Sequence, residues 1–171
     1  MTRLEGITVV MGLCALLATS SAWAESSPFV GRWQWNRAHS TPPPGAPVPE
    51  DFLCDLARAE SGHVQWAITI LSTEDQPYVE TFDVTASGDF APISSETTAA
   101  VRLTEDTLQA TFTGPAGQAD TQTCTLSADQ KQMTCRGVLS AGDGRTVNYV
   151  DVYDRGKRAE GDTGAGERNG H

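Results

Sequence analysis

The chain has 171 residues and a formal charge of −10, from 22 Asp and Glu against 12 Lys and Arg. Such acidity argues against nucleic-acid binding, which needs a basic face to neutralise phosphates, and against adhesion to anionic membrane surfaces. Its plain consequence is solubility, and the length suits one domain with a real core.

The N-terminus opens with a short polar start carrying Arg3, followed by the apolar run Ile7–Ala18. That run is too short to span a bilayer, which takes roughly 20 apolar residues. It leads to Ala22-Trp23-Ala24, with small side chains at the two positions that a signal peptidase reads. Residues 1–24 are therefore expected to be a signal peptide cleaved after Ala24, and the protein to be periplasmic or secreted. Leu13 precedes Cys14 and the apolar run continues past it, which does not suit lipid attachment at that cysteine. The mature chain then runs from Glu25 to His171, and no later stretch is apolar enough to cross a membrane.

The body reads as short alternating runs separated by turn residues. Phe29–Asn36 comes first, followed by a stiff polyproline-like connector, Thr41–Pro49. Glu50–Arg58 has apolar residues at both helical and strand spacing. The strand reading is preferred because it gives the next run a local partner and lays Leu56 near Trp66. Val64–Ile70 alternates cleanly, with Val64, Trp66, Ile68 and Ile70 on one face. Tyr78–Thr85, Thr97–Leu103, Thr107–Thr113, Thr121–Leu126, Met133–Leu139 and Arg145–Tyr153 follow, with turn signals between them. Regular short strands of this kind predict an all-β, antiparallel up-and-down β-barrel of about eight to ten strands. The domain is expected over residues 25–154. Residues 155–171 contain no large apolar side chain and are expected to be a disordered tail.

Gly31-Arg-Trp33-Gln-Trp35-Asn36, then Ser40 and a Pro-Gly-rich segment, resembles the start of lipocalins and other calycin barrels. More closely, it is similar to a group of small uncharacterised exported bacterial lipocalin-like proteins. Ala86–Ile93, Leu126–Lys131 and Asn148–Arg155 fit the same group, so the resemblance spans nearly the whole mature domain. Asp129-Gln130 stands where a glycine-containing turn is usual, and the cysteines are additional. The resemblance implies the barrel and no particular activity. It also implies one contact: such barrels often close one end with an arginine over the first-strand tryptophan, here Arg155 over Trp33.

Three cysteines remain after cleavage: Cys54, Cys124 and Cys135. A tight turn centred on Asp129-Gln130 sets Cys124 opposite Cys135 and Leu126 opposite Met133, which predicts a Cys124–Cys135 disulfide. An ideal two-residue loop would place the cysteines at a widely spaced, hydrogen-bonded position; a longer loop removes that difficulty. Cys54 is left over. A reactive thiol needs an electropositive setting, and Asp55 and Glu60 flank this one, so it reads as a small buried apolar residue.

No catalytic or metal-binding constellation is present. His39 and His63 lack partners at ligand spacing, and there is no Gly-x-Ser-x-Gly nucleophile elbow. Asp151 shares strand parity with Tyr149 and Tyr153, but isolated acids such as Asp143, Asp151 and Asp154 in an acidic chain usually face solvent. The chain thus reads as a non-enzyme, without metal or cofactor, and as a monomer. What remains is the apolar interior. Trp66, Ile68, Phe82 and Trp33 are the expected ligand contacts of an exported module that binds a small apolar molecule. The alternative is a filled barrel acting through its surface as an envelope structural or interaction protein.

Overall fold

A computed structural model describes residues 27–60, 62–71 and 76–156. The expected signal peptide and all but Arg155 and Gly156 of the expected tail lie outside the described residues. Those described form ten antiparallel strands: β1 (Gly31–Trp35), β2 (Asp51–Glu60), β3 (His63–Leu71), β4 (Tyr78–Thr85), β5 (Ser87–Pro92), β6 (Thr98–Leu103), β7 (Thr107–Thr113), β8 (Ala119–Leu126), β9 (Gln132–Ser140) and β10 (Thr146–Arg155). They make one sheet in the order β4-β3-β2-β1-β10-β9-β8-β7-β6-β5. The first strand pairs with the last, and the sheet curls into a nearly closed, lipocalin-like barrel. Its two edges, β4 and β5, are consecutive in the chain but do not pair with each other.

Alternation aims the side chains. On β3, Val64 and Trp66 are buried, while His63 and Gln65 are exposed. Glu50–Arg58 resolves as strand: Cys54 and Leu56 point inward, and Leu56 stands opposite Trp66. β5 is the strand that periodicity did not indicate. It carries a register shift between Ser87 and Phe90, ends in Pro92, and leaves Phe90 59% exposed instead of lining the barrel. Bulges and proline both suit an edge strand, where no neighbour needs the missing ladder bonds. Side chains close the gap between the edges: Phe82 of β4 meets Phe112 of β7 with ring centroids 5.7 Å apart, and Trp66 meets both rings.

One end of the barrel is packed solid. Phe29, Trp33, Leu56, Val64, Val101, Leu108 and Met133 are fully buried there. Arg155 caps this end as the resemblance implied, with its guanidinium carbon 4.2 Å from the Trp33 ring centroid. Its N–H groups donate to the carbonyls of Pro28 (2.6 Å), Val30 (3.0 Å) and Gln130 (2.6 Å). β10 therefore extends one residue past the expected domain edge at 154.

Cys124 and Cys135 are joined, with their Cα atoms 3.9 Å apart. The loop between β8 and β9 is longer than two residues. Ser127 N–H donates to the Gln132 carbonyl at 2.8 Å, and Gln130 takes a positive φ of 56°. That extra length shifts the hydrogen-bond alternation so that the cysteines occupy a closely spaced pair.

Candidate ligand-binding cavity

The end opposite Arg155 is not filled. A cavity of about 370 Å³ lies inside it, walled by β2, β3, β4, β7, β8, β9 and β10. The connector between β1 and β2 crosses its mouth, with Pro43, Ala46 and Pro47 on the lining. Paired backbone bonds between Thr41 and Val150 (2.7 and 3.0 Å) hold the connector to β10. The Ser40 hydroxyl adds a further tie by accepting from Val152 N–H at 2.9 Å. A second hollow of about 640 Å³ opens on the rim beside the β8 and β10 ends, and the two share Asp120 and Leu139.

Of the four expected contacts, Ile68 lies on the cavity wall. Trp66 and Phe82 belong to the aromatic cluster with Phe112, and Phe112 itself reaches the wall. Trp33 sits at the packed end under Arg155, with its indole N–H donating to the Phe29 carbonyl at 2.8 Å. The apolar wall is completed by Phe52, Ile70 and Leu139.

The rest of the strand lining is polar; strand parity had marked Tyr149, Asp151 and Tyr153 as one face, but not Glu80, Asp120 or Gln122. Glu80, Asp120, Gln122, Tyr149, Asp151 and Tyr153 all face the cavity. Tyr149 donates its hydroxyl to Asp120 at 2.7 Å, and the Trp35 indole N–H donates to Asp151 at 2.8 Å. Burial pushes the carboxyls of Asp120 and Asp151 above the ordinary range, and the charge of Asp151 raises Asp120 further; each is partly offset by its one donor. Burial also drives the phenols of Tyr149 and Tyr153 far upward. Asp143 and Asp154 do not join this group. Asp143 pairs with Arg145 in the β9–β10 turn, and Asp154 points outward to Asn36 and Gln132.

Asp120 was missed because the strand was expected to begin at Thr121. Continuing the parity of Cys124 and Leu126 back through Gln122 would have found it. Cys54 is buried and accepts from the Trp66 indole N–H at 2.6 Å, and burial pushes its thiol up to about 12. The His63 ring is half exposed and bonds Asp83 at 3.2 Å. Among the described residues, no group of three His, Cys, Asp or Glu could hold a metal ion.

No protein-family model and no curated protein matches the chain. Solved structures do. The crystal structure of one mutant of the fluorescent protein UnaG is similar over 77% of this chain and 98% of its own, at 15% identity and a TM-score of 0.52. A second UnaG mutant aligns over 76% and 97%, at 15% identity and a TM-score of 0.51. Zebrafish ileal bile acid-binding protein, complexed with cholic acid, covers 76% and 100%, at 14% identity and a TM-score of 0.49. At such identities the two UnaG likenesses show the antiparallel barrel fold and nothing finer.

Proposed function

We propose that this chain is an exported barrel module that binds one small, largely apolar molecule. The observation that supports this reading is the cavity itself: one end of the barrel is packed with side chains, while the other keeps about 370 Å³ under the proline-rich connector. That volume falls within the range of small-ligand sites, roughly 300–1,000 Å³. Aromatic and aliphatic walls offer burial to a hydrocarbon body. The filled-barrel alternative describes the Trp33 end alone.

Export rests on Ala22-Trp23-Ala24 and is supported by the disulfide, which belongs in an oxidising compartment. The chain should be recovered from the periplasm beginning at Glu25; its absence from that fraction would overturn export, and an intact Met1 there would overturn cleavage after Ala24. Native mass spectrometry of that material tests for a co-purified molecule, and titration with an apolar fluorescent probe tests for saturable binding. Ile68→Phe, which fills the wall, should abolish saturation while leaving the fold intact. Probe binding that is unsaturable, or indifferent to Ile68→Phe, would leave the filled-barrel reading standing.

A further inference from the structure

Resting on the binding reading above, we propose that the ligand is an organic cation: an ammonium or similar positive head on an apolar body.

The charge of the lining supports this. Glu80, Asp120 and Asp151 are its carboxylic acids, and no Lys, Arg or His lies among the described residues that wall the inner cavity. Arg145, on the outer rim, is 81% exposed and already holds Asp143 at 2.6 Å. None of the ion pairs among the described residues includes Glu80, Asp120 or Asp151. A half-buried carboxylate without a counter-charge is unfavourable, and two near each other more so.

The hydrogen bonding is also incomplete. A carboxylate offers about four lone-pair positions. Asp120 and Asp151 each accept one neutral donor on Oδ1, and neither Oδ2 has a partner among the described residues. Independently, Tyr153 is only 2% exposed, lines the cavity, and makes no hydrogen bond through its hydroxyl among the described residues. No side-chain polar atom sealed away from the surface lacks a partner among the described residues. The Tyr153 oxygen is therefore open to the hollow and waits for a group placed there. The rings of Phe52 and Tyr153, 5.7 Å apart on the same wall, add aromatic faces of the kind that attract a cation.

A fatty carboxylate would meet like charge at this position. An ammonium head meets two carboxylates, a phenol oxygen and aromatic rings, while its chain lies against Phe52, Ile68, Ile70 and Phe112. A bare metal ion fits less well, since no three-ligand group is present among the described residues.

The test uses three probes with one tail: octylammonium, octanol and octanoate, titrated calorimetrically into the mature protein at neutral pH. The ammonium should bind at least about tenfold more tightly than octanol, the factor expected of a charge-assisted contact in a partly buried site, and octanoate should bind weakest. Asp120→Asn and Asp151→Asn should each lower the ammonium-to-octanol affinity ratio about fivefold or more; Asp143→Asn should leave the ratio unchanged. Equal affinities for ammonium and octanol, tighter binding of octanoate, or a ratio untouched by both carboxamide variants would overturn the inference while the binding reading survived. Absence of saturable binding by all three would overturn both. The comparison among probes on the unaltered protein decides the question even if a variant does not fold.

Discussion

Tyr149 lies across Gly137, its cross-strand partner on β9, and reaches over that strand to donate to Asp120 on β8. The glycine is what permits the crossing: a Cβ at residue 137 would overlap the Tyr149 ring and hydroxyl. One missing side chain thus links three strands and sets the position of a carboxylate on the cavity wall. Gly137→Ala should destabilise the fold by about 1–3 kcal/mol, as overpacking does, and should displace the phenol. Tyr149→Phe keeps the ring and removes only the donor, costing about 1–3 kcal/mol for a half-buried acceptor left unpaired. Urea denaturation of both variants checks this; a Gly137→Ala protein as stable as the parent would refute the crossing.

Arg155 closes the packed end through the Trp33 ring and three carbonyls. Its removal leaves those oxygens without their charged donor. Arg155→Ala should cost about 2–4 kcal/mol, from the cation–π contact together with the charged hydrogen bonds. A chain ending at Gly156 should match the full-length protein to within about 0.5 kcal/mol, as surface changes usually do. Equal tolerance of both changes, read as midpoint denaturant concentrations, would count against this role.

The disulfide closes a short loop, with a sequence separation of 11. Its reduction, or Cys124→Ser with Cys135→Ser, should lower stability by about 2–3 kcal/mol. Non-reducing peptide mapping should find Cys124 joined to Cys135 and Cys54 unpaired. Cys54, buried and with its thiol near 12, should resist alkylation in the native protein and react after unfolding. Rapid native labelling of Cys54 would contradict its placement.

Asp120 and Asp151 set a pH dependence of unusual sign. Both hold their protons more tightly folded than unfolded, because burial raises them. The folded state therefore binds more protons, and this pair makes stability rise as pH falls from the raised range towards the ordinary aspartate value near 3.9. The groups facing them are Tyr149 and Tyr153 on β10, Cys54 on β2 and Glu80 on β4, and none of these supplies a positive charge. Thermal melts of ligand-free protein should show the gain as the difference between the parent and an Asp120→Asn/Asp151→Asn double variant. A difference that shrinks on acidification is the expected result; one that grows would reverse the sign. An organic cation bound beside the pair should cancel the effect by holding both carboxylates ionised.

Local pattern was enough to determine much of this protein. Alternation at Val64–Ile70 and its neighbours specified strands, and turn signals between them specified antiparallel neighbours, because both depend on residues a few positions apart. The Cys124–Cys135 pairing was legible for the same reason: a single hairpin sets it. Arg155 over Trp33 joins the last strand to the first, and only the likeness to calycin barrels brought it into view. β5 escaped notice because a bulged edge strand ending in proline buries no regular face. The chemistry of the interior was the part that only the tertiary structure decided. Parity placed Asp151 on the same face as Tyr149 and Tyr153, but whether that face met core, cavity or water depended on how ten strands curl around a shared axis. Asp120 and Asp151 lie on strands separated by β9, 31 positions apart in the chain. Their proximity follows from barrel closure and from the bare backbone of Gly137, neither of which is a local property. Whether the interior beside Ile68 was packed or open likewise depended on side chains from seven strands, which no single strand contains.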